Sequence, residues 1–131
     1  MAQEPILKID GTEVPNILSV EYSLRAEADR DGRPTRKMFF DGIVVRRIMD
    51  DKTILCDWAK SPKEENRKGG EVQFFSDTGT AMKKLEFKGA YLRDYRVDFD
   101  ERGDHVVEVA HVQPEVILVG GVEVNFNWPD K

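Results

Sequence analysis

Alternation of apolar and polar side chains is the dominant pattern in this chain. Leu18, Val20, Tyr22, Leu24 and Ala26 alternate with Ser19, Glu21, Ser23 and Arg25. That spacing predicts a strand with one face buried. Leu85 and Phe87 alternate with Lys84, Glu86 and Lys88, and Gly89 punctuates that segment. Tyr91, Tyr95, Val97 and Phe99 share a face, with Arg93 as the exception. Val122, Val124, Phe126 and Trp128 alternate with Glu123, Asn125 and Asn127, after a Gly120-Gly121 pair that permits a two-residue hairpin. Phe40–Met49 alternates less cleanly, with Val44 and Val45 side by side, and His105–Val112 is apolar on both sides. Such runs are expected where both faces of a sheet are covered. Leu7–Ile9, Glu71–Phe75 and Val116–Val119 are further short strands. Asp10-Gly11, Asp77 with Gly79, and Gly103 supply turns between them. About eight or nine short strands at close spacing predict a mainly β fold, a compact β-barrel or two-sheet sandwich.

One stretch follows a different period. Within Asp50–Lys60, Ile54, Leu55, Trp58 and Ala59 form a stripe repeating every ~3.6 residues. This predicts a single flanking helix over about residues 51–60, with Ile54, Leu55 and Trp58 as its docking face. Asp50 or Asp51 is expected to cap its start, Lys60 suits its end, and Pro62 stops it. Two segments read as solvated loops. Glu27–Lys37, carrying Asp31-Gly32 and Arg33-Pro34, is too long for a tight hairpin. Ser61–Gly70 is a run of charge ending in glycines.

The 131 residues are expected to form one domain over residues 1–131, since no linker or repeat divides them. Charged residues are 34% of the chain, against about 25% in an average domain, which implies much wet surface. A net charge of -5 argues against nucleic acid as a partner. With one cysteine no internal disulfide can form, and Cys56 is consistent with a reducing compartment and reads as a small buried hydrophobe. The start of the chain lacks a basic region followed by an apolar run, so no signal peptide is expected. No segment approaches the ~20 apolar residues that span a bilayer, so membrane insertion is not expected.

The residues give no positive argument for catalysis, a metal or a cofactor. His105 and His111 fall on one face of a strand but roughly 20 Å apart, too far to share an ion. Asp98, Asp100 and Asp104 lack the EF-hand spacing. Gly69-Gly70 and Gly120-Gly121 lack the context of a phosphate loop. Arg30, Arg33, Arg36 and Lys37 form a basic cluster, but Asp29 and Asp31 interleave with it.

Tyr22-Ser23-Leu24 followed by Asp29-Arg30-Asp31-Gly32-Arg33-Pro34-Thr35 resembles the opening of a subgroup of type VI secretion tube proteins, the TssD type related to haemolysin-coregulated protein (Hcp). Leu85-Glu86-Phe87, Ala90-Tyr91-Leu92, Tyr95, the Gly103-Asp104 turn and Asn125–Trp128 continue the resemblance over about residues 6 to 128. Asp50–Gly70 is longer and more charged than that pattern, which leaves open a tube subunit of a related extracellular contractile injection particle or a phage-like tail tube. The resemblance implies rings of six copies that stack into a hollow tube within a contractile sheath. Its implied partners are the sheath, baseplate and spike proteins, with effector proteins in the lumen. It also implies cytoplasmic assembly followed by export. The Glu27–Lys37 loop would then reach a neighbouring subunit or ring, through Asp29, Asp31, Gly32, Arg33, Pro34 and Arg36. A monomeric β-barrel adaptor is the alternative.

Overall fold

A computed structural model describes residues 4–99, 103, 105–126 and 128, leaving aside the side chains of residues 36 and 37. The strands in chain order are β1 (Ile6–Ile9), β2 (Thr12–Val14), β3 (Ile17–Ala28) and β4 (Pro34–Ile48). A helix α1 (Ile54–Ala59) and a 3-10 turn (Glu64–Asn66) lead to β5 (Lys68–Phe75) and β6 (Ala81–Phe99). The chain then forms β7 (Val106–Gln113), β8 (Val116–Val119) and β9 (Val122–Asn125).

All described pairings are antiparallel, and they form two sheets that share β6. The first has the order β2-β1-β5-β6-β8-β9 and uses the N-terminal half of β6. The second has the order β6-β7-β4-β3 and uses residues Tyr91 to Phe99 of β6. The expected strand break at Gly89 does not occur. Gly89 instead adopts φ +62 inside a 19-residue strand, a conformation that costs glycine little. It lets β6 turn from one sheet into the other, opposite the interruption at Pro114 that separates β7 from β8.

The two short hairpins form as the sequence predicts. Asp10-Gly11 and Gly120-Gly121 have positive φ at both turn residues, and Ile9 pairs with Thr12 and Val119 with Val122. Arg93 breaks the face pattern of its strand because a register shift between Leu92 and Asp94 leaves it unpaired, as in a bulge. Tyr95 thereby returns to the inner face.

One core lies between the sheets and is closed by α1. Leu7, Ile9, Val72, Leu85, Phe87 and Ile117 come from the first sheet, Ile43, Val45, Ala110 and Val112 from the second. Leu55 and Trp58 are buried and Ile54 is half-buried. Trp58 stacks on Phe87 with centroids 6.4 Å apart, and its Nε1 donates to the Ala90 carbonyl at 3.0 Å.

Three local expectations are corrected. The helix is six residues long, and neither Asp50 nor Asp51 caps it: Thr53 holds the N-cap position without a side-chain cap bond. Asp50 is turned to Arg47 and to the Lys52 amide instead. Cys56 lies on the outer side of the helix and is exposed, since the inner side is taken by Leu55 and Trp58. Ser61–Gly70 is only partly loop. Asn66 donates to the carbonyls of Trp58 and Ser61, both at 2.9 Å, and β5 already begins at Lys68.

Candidate assembly surfaces

The segment Glu27–Lys37 is not a long loop. β3 runs to Ala28 and β4 starts at Pro34, so a five-residue turn, Asp29 to Arg33, closes a long hairpin. The sequence sets this turn locally. The Asp29 carboxylate accepts from the Asp31 and Arg33 amides at 2.9 Å each, the Asp29 carbonyl accepts from the Gly32 amide, and Gly32 has φ +84. Asp29, Asp31, Gly32, Arg33 and Pro34 therefore sit together, all exposed, at the tip. The side chain of Arg36 lies outside the described residues.

What sequence reasoning misses is how far this tip stands from the body. β4 pairs with β7 only from Ile43 to Ile48, whereas its pairing with β3 continues from Leu24–Phe40 to Ala28–Pro34. Six residues of strand beyond Tyr22 give a two-stranded arm roughly 20 Å long. Its root is anchored: Phe40 is buried and stacks on Phe126 at 5.6 Å, and Tyr22 meets Phe74. Gly42 lies at the root with φ +89, and a Cβ there would fall 2.4 Å from His111 Nε2 and 2.9 Å from the Val112 carbonyl. Further out, Leu24 and Met38 are 40% and 52% exposed on the face that continues inward to Tyr22 and Phe40. An isolated two-stranded ribbon is marginal in water, and this one leaves an apolar underside uncovered.

The second surface is the pair of edges of the second sheet. Among the described residues, β3 has no neighbour on the side away from β4. Residues Tyr91 to Phe99 of β6 have none on the side that β5 leaves at Ala90. The outward face of this sheet is arranged in rows. Glu21, Val44, His111 and Asp94 share one row, and Ser19, Arg46, Val109 and Arg96 the next. His105 is exposed before β7 starts, and His111 is half-buried near its end with its ring against the Asp41 carbonyl, so the two histidines do not meet. Asp98 pairs with Arg96 on its own strand, and Asp100 and Asp104 lie outside the described residues. Among the described residues, no three His, Cys, Asp or Glu side chains gather to hold a metal, and no helix is long and apolar enough to cross a membrane.

On its inner face the same sheet carries a buried ionic cluster. Arg47 is fully buried: its Nη1 donates to Glu108, its Nη2 to Asp50 at 2.9 Å and its Nε to the Pro15 carbonyl at 3.0 Å. Glu108 also accepts from the Tyr95 hydroxyl at 2.5 Å. Burial raises the Tyr95 pKa, and the hydrogen bond and charge of Glu108 raise it further. The hydrogen bond from the Lys52 amide, with Arg47 beside it, holds the Asp50 carboxyl below its ordinary value. The cluster has a signal in the sequence. Arg47 follows Ile43 and Val45 at inward positions, and Glu108 interrupts an apolar run on another strand with the opposite charge.

Two sheets with open edges and a projecting ribbon form a small β fold that leaves strand edges unpaired among the described residues. The sequence profile of the haemolysin-coregulated protein family, Hcp (TssD), matches residues 1–129, and the chain belongs to that family. Among solved structures, Hcp1 from Flavobacterium johnsoniae is similar at 28% identity and a TM-score of 0.81, over 94% of this chain and 99% of that one. Hcp1 from Salmonella typhimurium is similar at 15% identity and a TM-score of 0.70, over 95% and 92% of the chains. A chain of the anti-feeding prophage baseplate shares the fold at 10% identity and a TM-score of 0.57, over 90% and 91%. No curated protein matches the chain.

Proposed function

We propose that this protein is the ring-forming subunit of the inner tube of a type VI secretion-like contractile injection apparatus. Six copies close a ring, rings stack into a hollow tube, and the tube carries effector proteins out through the sheath. Family membership supports the tube role, as does the shared fold of a six-fold symmetrised baseplate chain from a contractile particle. The working parts are sheet edges and the arm, with no catalytic residue assigned.

The observation that carries the reading is the parity of the second sheet. Its order β3-β4-β7-β6 contains four strands, each antiparallel to the next. The two open edges therefore run in opposite directions. β3 of one copy can pair antiparallel with β6 of the next, and the alternation continues unbroken around a closed circle. A head-to-tail interface whose rotation closes makes a ring, and joining the edges removes the exposed strands that invite aggregation. The arm then reaches the adjacent copy or ring. Its apolar underside at Leu24 and Met38 becomes covered, and Asp29, Asp31, Gly32, Arg33, Pro34 and Arg36 form its contact tip.

Size-exclusion chromatography with light scattering and negative-stain microscopy of the purified chain test this. Annular particles or hollow filaments are expected. A protein that stays monomeric at high concentration refutes the tube role and favours the monomeric adaptor. Charge reversal of Arg33 and Arg36 to Glu tests the arm separately: it should leave rings but impair stacking or closure, and unchanged tubes would remove the arm from the contact.

A further inference from the structure

Edge pairing between copies requires a register, and the outward charges of the second sheet discriminate among registers. This step rests on the ring reading above. Slips of one residue are excluded, because they would turn the buried face of one copy toward the wet face of the next. Even slips remain. In the flush register the rows of one copy continue straight into the next, and Glu21 on β3 meets Asp94 on β6, two carboxylates directly opposed. Like charges in that position are destabilising. A slip of two residues in one sense sets Ser19 against Asp94 and moves both Glu21 and Arg96 away from any opposite charge. A slip of two in the other sense aligns Ser19 with Asp98, Glu21 with Arg96 and Ser23 with Asp94. Glu21 then faces a cation, and Asp94 and Asp98 each face a hydroxyl donor.

We propose that neighbouring copies join β3 to the C-terminal half of β6 with this two-residue stagger, and that Glu21 of one copy forms an ion pair with Arg96 of the next. Both side chains are exposed on the outward face of the edge strands that would meet. Arg96 uses its Nε on Asp98 at 3.2 Å, which orients a guanidinium whose remaining N–H groups can reach across the junction. A non-zero stagger is also what closing a sheet into a barrel demands, since the strands must tilt and shear.

The test uses charge reversal in the full chain, with folding checked by circular dichroism and assembly followed by light scattering. In the staggered register, Glu21→Arg faces Arg96 and Arg96→Glu faces Glu21, so each should raise the concentration for half-assembly by roughly tenfold. The double variant Glu21→Arg/Arg96→Glu should return to within about threefold of the parent protein. Asp94→Lys separates the registers further: it relieves repulsion and tightens a flush ring, but changes a staggered one little. Tighter assembly by Glu21→Arg or Asp94→Lys alone, or no rescue in the double variant, overturns the stagger while leaving the ring reading intact. Failure of the parent protein to assemble overturns both.

Discussion

Replacing Glu108 with Gln tests how the second sheet tolerates a charge in its core. Glu108 is 1% exposed and Arg47 is fully buried, with the Glu108 carboxylate between Arg47 and Tyr95. Gln preserves the shape. Its amide oxygen can accept from Arg47, and its amide nitrogen can donate to the Tyr95 oxygen, so the hydrogen bonds are recoverable. The charge is not. Arg47 would keep only Asp50, whose side chain is 24% exposed, as a counter-ion. Removing one partner of a buried pair costs about 3–5 kcal/mol, and the retained Asp50 places this variant near 3. With an m-value of about 2 kcal/mol/M, the urea midpoint should fall by about 1.5 M. The measurement belongs in dilute protein, where assembly adds nothing to the apparent stability. The paired replacement Arg47→Met/Glu108→Leu removes both charges and should cost less than half as much. A Glu108→Gln variant within about 1 kcal/mol of the parent, or a paired variant worse than the single one, would refute the argument.

Trp58→Ala removes a side chain that closes the core and stacks on Phe87, and should cost about 3–5 kcal/mol in chemical denaturation. Trp58→Phe keeps most of the packing but leaves the Ala90 carbonyl without its donor, so about 1–3 kcal/mol is expected. Gly42→Ala adds the cost of a left-handed conformation, about 1–2 kcal/mol, to the displacement of His111 and of the Val112 backbone. It should lower the melting temperature and impair assembly beyond that loss, because Gly42 sets the root of the arm. Tyr95 makes stability fall in alkali. Below its ordinary value of 10.0 the phenol is neutral in both states. As pH rises above that value, the unfolded chain ionises while the folded chain keeps its proton, so the contribution present at neutral pH is lost. Tyr95→Phe should flatten that alkaline slope, and an unchanged slope would assign it to other groups.

Much of the first sheet was legible because its elements announce themselves locally. Asp10-Gly11 and Gly120-Gly121 are two-residue turns whose φ values only a short list of residues adopts cheaply, and the flanking alternation fixes the strands. The helix stripe of Leu55 and Trp58 was equally plain, since a 3.6-residue period among alternating strands has no other source. Illegible features depend on pairing across the chain. The hairpin arm looked like a loop because Glu27, Arg33 and Lys37 are polar. Leu24 and Met38, apolar residues of the same arm, line one face of the ribbon, so the alternation between its ends was easy to miss. Gly89 looked like a stop because glycine punctuates strands, whereas here it turns a corner that only the sharing of β6 between sheets requires. Capping by Asp50 was a fair local inference that lost to a stronger partner, the buried guanidinium of Arg47.

The ionic cluster and the open edges belong to one sheet, and that coincidence has a physical reading. Arg47, Glu108 and Tyr95 lie on β4, β7 and β6, three of the four strands between the two edges. Apolar neighbours such as Val45 and Ala110 hold those strands together but tolerate a slip that keeps the same face inward. A hydrogen-bonded pair does not, because any slip breaks the contacts of a fully buried charge. The cluster therefore fixes the phase of β6 relative to β4 and β3, and hence, in the proposed ring, the phase at which one edge would meet the next copy. A monomeric domain would gain little from that constraint, since replacing such a pair by well-packed apolar residues is often neutral or stabilising. On this argument the paired variant Arg47→Met/Glu108→Leu should fold with nearly parental stability yet form rings of mixed register. Microscopy would show incomplete or irregular particles. Uniform parental rings from that variant would confine the cluster to stability alone.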